Sequence, residues 1–300
     1  MLSFSYKAKS EVCRTAIQRL CCARAESYGI LLYCNTFSPE QVRIITENPE
    51  FANRLIRLFS KAFGIRFDRI PEDMSAAKLI FQITDREKLK KIIDILGYDP
   101  QQSWAAHVNY GLLEDDCCRT AFLRGIFLAG GSVTDPEKRY HLELVSSHRQ
   151  ASREVSAFLD EMGFFPHAVM RNGNSVIYFK QSEHIEDFLT TVGAPVAATD
   201  IMTAKVDKSI RNGANRAANC DIANVNKTIN ASENQITAIG RLRLEGKLEI
   251  LPDKLQETAK LRLEYPELSM QQLADKHEPP LTKSCLNHRL RKIMELAGKE

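Results

Sequence analysis

The sequence predicts an α+β protein whose first 200 residues form two similar halves and whose last segment is all-α. Three observations support this fold class. A sixteen-residue segment occurs twice, at positions 96 residues apart. The hydrophobic patterns that follow the two copies match each other, and the last fifty residues contain only helical patterns. Each half reads helix, strand pair, helix, strand pair, helix, so we expect two αββαββα units related by a pseudo-twofold axis.

The repeated segment begins each half with a helix. Residues 21–36 align without gaps on residues 117–132, and six positions are identical. Four identical positions share one helical face in each copy: Cys22, Ala25, Gly29 and Leu32 in the first, and Cys118, Ala121, Gly125 and Leu128 in the second. Small residues one turn apart let helix backbones approach closely, which predicts two symmetry-related helices packed on each other. Chance similarity is the alternative, but a glycine inside each helix costs about 1 kcal/mol relative to alanine, which favours a duplication.

The patterns after the two copies follow the same order. An alternating strand pattern at 42–46 is followed by an amphipathic helix that ends near Gly64, and the pattern at 140–145 is followed by a helix that ends at Gly163. The strand pattern at 79–83 matches 176–179, which an Asn-Gly hairpin turn precedes. Apolar residues in helical spacing then close both halves, and we expect antiparallel sheets with helices on one face.

Composition is that of a globular protein, with 44% hydrophobic and 26% charged residues. The chain has no signal-peptide pattern and no apolar run of membrane-spanning length, so we expect it in the cytoplasm. Its eight cysteines include two adjacent pairs but no C-x₂-C spacing, so buried thiols are expected rather than a metal site. The sequence lacks four common enzyme motifs, which are the P-loop, the dinucleotide-binding motif, the nucleophile elbow and the zinc-protease motif. We therefore expect no cofactor and no enzyme activity of these kinds.

Positive charge is concentrated after residue 200. Residues 201–300 carry 17 Lys or Arg against 13 Asp or Glu, whereas the first 200 residues net about −1. Basic residues in the segment 201–230 are candidates for phosphate contacts: Lys205, Lys208, Arg211 and Arg216. The stretch 212–230 fits either a basic linker that follows a nucleic-acid backbone or a helix that docks the domains.

The last fifty residues have the spacing of a helix-turn-helix. A helix follows Pro252, Ser269 caps a short second helix, and Thr282 caps a longer third one with Leu286, Leu290, Ile293 and Ala297 inside. The outer face of the third helix carries Lys283, Ser284, Asn287, His288, Arg291 and Lys292. Asn pairs with adenine and Arg with guanine, while Lys and Ser contact phosphates, so this face predicts binding to double-stranded DNA in the major groove. A solvated face on a helical hairpin is the alternative, but no acid lies between Thr282 and Lys292.

The residues also carry a family resemblance. Residues 27–36 (SYGILLYCNT) and 123–132 (LRGIFLAGGS) resemble the paired motif of the LAGLIDADG homing endonucleases. The whole chain is similar to the WhiA family of bacterial regulators, notably at Asn215-Arg216, Asn219-Cys220, Ala223-Asn224 and Asn287-His288-Arg289-Leu290.

The resemblance implies a LAGLIDADG-like domain joined to a helix-turn-helix domain similar to sigma-factor region 4. It also implies a nucleoid-associated regulator of transcription linked to cell division, chromosome segregation or sporulation. The expected domains are 1–105 and 106–200 for the two halves, 201–230 for the basic linker and 231–300 for the helix-turn-helix. One departure is Cys285, where a small residue is expected. We expect its side chain on the packed side of the helix.

The same resemblance makes a statement about catalysis. LAGLIDADG enzymes place one carboxylate per motif at the foot of the paired helices, where both hold divalent metal over the scissile phosphates. Cys34 and Gly130 stand at these positions, and Leu32 and Leu128 stand at the other acidic position of the motif. Asp115, Asp116 and Asp135 do not fall at the same point. We therefore expect no catalytic residue and no metal there; the alternative is an endonuclease that retains metal-dependent DNA cleavage.

Two hypotheses remain for the duplicated domain. In the first, its sheets contact phosphates through basic residues that share a face: Arg43, Arg66, Arg69, His141, Arg171 and Lys180. In the second, the domain is a structural platform or binds a protein partner. Glu47, Asp68 and Glu143 alternate with the basic residues, and the domain is nearly neutral, which favours the second hypothesis. No feature of the sequence predicts an oligomeric state.

Overall fold

The chain forms two compact units, one up to Lys208 and one from Ser209 onward. The structure is a computed structural model that describes residues 2–98 and 104–298. Helix α8, Pro195–Leu244, contributes its first part to one unit and its remainder to the other.

The first unit contains two consecutive sets of helices and strands. The first half consists of α1 Phe4–Cys13, α2 Leu20–Tyr33, β1 Thr36–Phe37, β2 Val42–Thr46, α3 Pro49–Phe63, β3 Leu79–Ile83 and α4 Arg86–Ile95. The second half consists of α5 Asp116–Gly130, β4 Gly131–Val133, β5 Leu142–Ser146, α6 Arg149–Glu161, β6 His167–Arg171, β7 Asn174–Phe179 and α7 Ser182–Val192. The helix α1 was not predicted from the sequence, whereas the duplicated α+β architecture is confirmed.

The two halves differ in their sheets. The second half has the four predicted antiparallel strands in the order β4-β5-β7-β6, whereas the first has three in the order β1-β2-β3. In place of its fourth strand, the first half has an isolated bridge between Arg69 and Gln82. The nearby Pro71 has no amide hydrogen with which to continue the ladder. The predicted αββαββα order therefore holds fully in the second half only.

The predicted packing of the two repeated helices is confirmed at Gly29 and Gly125. A Cβ atom on Gly29 would lie 2.2 Å from the carbonyl oxygen of Phe122, and one on Gly125 would lie 2.0 Å from that of Glu26. Both distances are far below van der Waals contact, so only glycine permits this separation of the helices. The starts of α2 and α5 meet at one end of the pair and Cys34 and Gly130 lie at the other, so the helices run in the same direction.

A buried ionic network crosses the same helix pair. Arg54 of α3 binds Glu26 of α2 with both Nε and Nη2, the latter at 2.8 Å, and Arg54 Nη1 donates to the carbonyl oxygen of Cys13 at 3.1 Å. Arg124 of α5 lies 3.5 Å from the same carboxylate and donates to the Val192 carbonyl oxygen at 2.9 Å. Because these buried charges are paired and hydrogen-bonded, the network is tolerated in the core and connects α2, α3 and α5.

The second unit is helical around a core of its own. After α8 come α9 Asp253–Glu264, α10 Met270–Asp275 and α11 Lys283–Ala297. The stretch 212–230 is part of α8, and nearly all of its side chains are exposed. The core consists of Ile239, Leu242, Ala259, Leu273, Ala274, Leu286, Leu290 and Ile293.

Both predicted helix caps are present. The side chains of Ser269 and Gln272 form a capping box at the start of α10, and Thr282 Oγ1 accepts from the Cys285 amide at 3.2 Å at the start of α11. Within residues 2–98 and 104–298, no helix combines the length and the apolar character needed to cross a membrane.

We expect Gly29→Ala to destabilise the first unit. In an exposed helix this change is stabilising, but here the added methyl group must push α5 away, so overpacking should lower the free energy of unfolding by about 1–3 kcal/mol. Gly213→Ala is the matched control, because Gly213 lies in α8 with open space around a Cβ atom, and this change should raise helix stability by about 0.5–1 kcal/mol. Urea unfolding followed by circular dichroism measures both, and an unchanged or higher midpoint for Gly29→Ala would contradict the close contact.

Candidate nucleic-acid interface

Helix α11 presents a polar face to solvent and an apolar face to its own unit. Leu286, Leu290 and Ile293 are buried in the core, and Ala297 is half-buried, as predicted. The six side chains predicted to bind DNA are all exposed: Lys283, Ser284, Asn287, His288, Arg291 and Lys292. The buried stripe fixes the rotation of the helix about its axis, and the six side chains therefore share the outward face.

Arg289 fixes α11 against α9. Its Nη1 donates to the carbonyl oxygen of Lys254 at 3.2 Å and to Oγ1 of Thr258 at 3.4 Å, and it lies 3.8 Å from the carboxylate of Glu257. This arginine is part of the motif Asn-His-Arg-Leu, but it points inward. This role was not predicted from the sequence, because the partners of Arg289 lie more than thirty residues earlier in the chain.

The charges on the outer face are largely available to a ligand. In the part of the chain that the structure describes, Arg291 is the one member of the six with a salt bridge, and its partner Glu295 lies 3.1 Å away, one turn further on. Both side chains are more than half exposed, so this pair contributes less than about 1 kcal/mol and is readily exchanged for a phosphate or a base. Lys283 and Ser284 lie in the first turn of α11, where the helix dipole adds to the positive potential.

Cys285 was predicted to lie on the packed side of α11, and this prediction is wrong. Its side chain is exposed. Each residue of a helix advances by about 100°, so the position before the buried Leu286 lies beyond the edge of the apolar stripe, near Lys292.

The four basic residues at the start of α8 are in two different settings. Lys205 donates a hydrogen bond to the carboxylate of Glu183 in an ion pair. This hydrogen bond lowers the pKa of the Glu183 carboxyl to about 2. Lys208 donates to the carbonyl oxygen of Pro136 and lies 4.6 Å above the ring of Tyr140. Both lysines are half-buried against the first unit, whereas Arg211 and Arg216 are exposed.

The carboxyl ends of α2 and α5, at Cys34 and Gly130, form the foot of the paired helices. The side chains at these two positions do not fit a divalent metal ion. Cys34 is buried, and its Sγ lies 3.2 Å from the carbonyl oxygen of Leu31 and 3.1 Å from that of Thr36. Burial raises the pKa of this thiol to about 12. At Gly130, a Cβ atom would lie 2.5 Å from the carbonyl oxygen of Val145 and 2.7 Å from Cδ1 of Tyr33. A neutral thiol and a position without room for a side chain do not provide the oxygen ligands that a hard cation requires.

A lysine that sequence analysis missed lies at this same foot. Lys9 of α1 donates from Nζ to the carbonyl oxygen of Leu128 at 3.0 Å, in the last turn of α5. Desolvation lowers the pKa of its ammonium group to about 8, against an opposing effect of Cys13. The ammonium group is still largely protonated at neutral pH, so a positive side chain contacts the carboxyl end of α5, where the helix dipole is negative.

The basic residues that were predicted to contact phosphates in the second half already have neighbouring partners within that half. Arg171 Nη2 binds both carboxylate oxygens of Glu143, at 3.1 and 3.0 Å, and His141 Nε2 lies 3.4 Å from the same group. Lys180 Nζ lies 5.1 Å from the ring centroid of Tyr178. Arg66 and Arg69 in the first half are exposed, and Arg43 is half-buried.

A further group of residues meets at the opposite end of the paired helices. The four Sγ atoms of Cys21, Cys22, Cys117 and Cys118 all lie within 4.8 Å of one another. Ligand spacing within a single segment does not predict this group, because each cysteine pair comes from a different copy of the repeat. The signal was present in the alignment, which places the two pairs at equivalent positions of two contacting helices.

Two solved structures resemble the chain in fold. The crystal structure of full-length WhiA from Thermatoga maritima has a TM-score of 0.60 at 22% identity, covering 99% of this chain and 98% of that chain. The crystal structure of the N-terminal LAGLIDADG domain of WhiA has a TM-score of 0.51 at 20% identity, covering 64% of this chain and 94% of that chain. These similarities support the fold.

Sequence comparisons identify the family. Residues 214–297 match the family model of the WhiA C-terminal HTH domain, and residues 119–211 match that of the WhiA LAGLIDADG-like domain. The probable cell division protein WhiA of Alkaliphilus metalliredigens is 33% identical over 323 residues, covering 100% of this chain and 98% of the relative. The protein of the same name from Ruminiclostridium cellulolyticum is 34% identical over 307 residues, covering 99% and 97%. The chain therefore belongs to the WhiA family.

Proposed function

We propose that the protein is a sequence-specific DNA-binding regulator of transcription that reads the major groove with α11. The observation that carries the proposal is the outer face of this helix, where six polar or basic side chains are exposed and no acid occurs before Glu295. Relatives are named probable cell division proteins, which supports a role in cell division. We extend the proposal to chromosome segregation or sporulation on the sequence resemblance alone. Binding to chromosomal DNA would locate the protein on the nucleoid.

The position of each residue along α11 supports a division of roles. Lys283 and Ser284 lie in the first turn, next to the free amides of the helix start, and suit phosphate oxygens. Asn287, His288 and Arg291 lie one and two turns further along the exposed face and suit base edges, since Asn recognises adenine and Arg recognises guanine. Lys292 lies beside them and suits a phosphate.

We also propose that Arg211 and Arg216 contact phosphates. Their exposure supports this role, and no acid lies between them in the sequence. Lys205 and Lys208 are weaker candidates than the sequence suggested, because each already has a partner in the first unit.

The duplicated domain serves, in our proposal, as a platform for a protein partner rather than as a second DNA-binding surface. Glu143 lies between Arg171 and His141 and neutralises part of the charge that a phosphate would need. We further propose that this domain does not cleave DNA, because the buried thiol of Cys34 and the crowded Gly130 replace the two carboxylates of a nuclease.

Two substitutions on α11 test the assignment of roles. We expect Arg291→Ala to weaken binding by about 1–3 kcal/mol and to relax the preference at one base position, since the guanidinium reads a base edge. We expect Lys283→Ala to weaken binding evenly across sequences and to reduce the salt dependence by about one phosphate contact. Binding titrations on selected and scrambled duplexes at several salt concentrations measure both effects.

The matched control for these substitutions is Lys247→Ala, which removes one exposed charge outside α10 and α11. It should leave both affinity and base preference unchanged. If Arg291→Ala and Lys283→Ala behave like this control, α11 is not the reading helix.

A salt titration of the full chain separates the two roles of the duplicated domain. For a platform, the double variant Arg171→Ala/Lys180→Ala should keep the same slope of affinity against salt concentration as the unchanged protein. A sheet that tracks phosphates instead predicts that the slope falls by about 0.9 for each lost contact. A fall of that size would support the DNA-binding role of the sheet and overturn the platform.

Incubation of the purified protein with supercoiled plasmid and Mg²⁺ or Mn²⁺ tests the loss of nuclease activity. We expect no cleavage, because Cys34 and Gly130, at the two positions where the motif would carry carboxylates, supply no side-chain oxygen for the metal. Metal-dependent cleavage that disappears in Asp115→Asn, Asp116→Asn or Asp135→Asn would show that other acids have taken over catalysis. The first two acids begin α5, about 20 Å along the helix from Gly130, which is why we expect no such result.

A further inference from the structure

The four cysteines at the start of the paired helices form one compact group. Cys21 and Cys22 lie in the first turn of α2, and Cys117 and Cys118 lie in the first turn of α5. The Sγ atoms are 4.0 Å apart within each pair, and all four lie within 4.8 Å of one another. Cys118 is buried and Cys21 is exposed, so the group is anchored in the protein and open to solvent on one side.

The spacing of these sulfur atoms is that of a mononuclear metal site. Zinc binds four thiolates tetrahedrally at about 2.3 Å, which places the sulfur atoms about 3.8 Å from one another. The observed separations, which reach 4.8 Å, therefore need to contract by at most about 1 Å. An iron–sulfur cluster distributes its cysteine ligands over several iron atoms and requires a wider arrangement.

Positive groups lie beside these four thiols and would offset part of the charge of the bound thiolates. Two parallel helices begin here, and the positive ends of both dipoles are directed at the same four sulfur atoms. Arg19 adds a full positive charge, with Nη1 3.8 Å from Sγ of Cys117. A tetrathiolate zinc site carries two net negative charges, which these groups offset in part.

A disulfide is a poorer fit to the same residues. Successive side chains in a helix point about 100° apart, so neither adjacent pair can close a bond of about 2.05 Å without distorting its helix. Two bonds between the helices would use all four thiols, and the mass measurement described below distinguishes that arrangement from the metal site.

We propose that Cys21, Cys22, Cys117 and Cys118 bind one Zn²⁺ ion in a tetrahedral site that joins the two halves of the duplicated domain. Binding releases the thiol protons to solvent and transfers no electrons. The site lies about 18 Å along α5 from Gly130, so it is separate from the place where a LAGLIDADG nuclease holds its metal. This proposal differs from the sequence-based expectation of buried, metal-free thiols.

The test uses the full-length protein purified under reducing conditions. Elemental analysis by mass spectrometry should give one zinc ion per chain, and removing the metal with a chelator should lower the thermal midpoint of the first unit by several degrees. Titration of the metal-free protein with Co²⁺ should produce the absorption bands of a tetrahedral thiolate complex, displaced by one equivalent of Zn²⁺. This readout requires no variant and therefore does not depend on whether one folds.

Variants then assign the ligands. Cys22→Ser/Cys118→Ser should lose the zinc and the cobalt bands, whereas Cys220→Ser, which removes an exposed thiol on α8, should retain both. Three outcomes would overturn the proposal. These are four free thiols that bind no Co²⁺, a mass lower by two hydrogen atoms for each disulfide formed, and iron with acid-labile sulfide in place of zinc.

Discussion

The first unit depends on the contact between the backbones of α2 and α5. At Gly29 and Gly125 the two helices are so close that a single methyl group on either would overlap a carbonyl oxygen of the other. This contact fixes the separation of the helices and their shared direction, and it determines which residues meet at each end. The thiol group at one end and the residues Cys34 and Gly130 at the other are both consequences of it.

The foot of the pair brings together a thiol that is hydrogen-bonded to the backbone and a glycine without room for a side chain. The sequence resemblance to the LAGLIDADG motif implies that a nuclease would carry carboxylates at these two positions. Lys9 supplies a positive charge near the end of α5, where a bound cation would otherwise interact with the helix dipole. The hydrogen bonds of Lys9 and of the Cys34 thiol therefore stabilise this end of the pair.

The features that the sequence predicted are those set by periodicity and local capping. The repeat predicted the pair of helices α2 and α5. The caps Ser269 and Thr282 predicted where α10 and α11 begin, and the apolar stripe of α11 predicted which of its faces is exposed. Features that depend on distant partners were missed. Helix α1 buries only a narrow stripe that includes Ala8 and Val12, the fourth strand of the first half is reduced to one bridge, and the rotation that exposes Cys285 follows from packing against α9 and α10.

The paired helices are held by a different interaction at each level along their length. In the middle, the glycine contact and the buried charges of Glu26, Arg54 and Arg124 leave no room for solvent. At the foot, Lys9 binds the last turn of α5. The beginning of the pair lacks such protection, since Leu20 is 46% exposed and Cys21 is exposed. Helix ends fray where burial is lowest, so a metal ion bound by four thiolates would add most stability there.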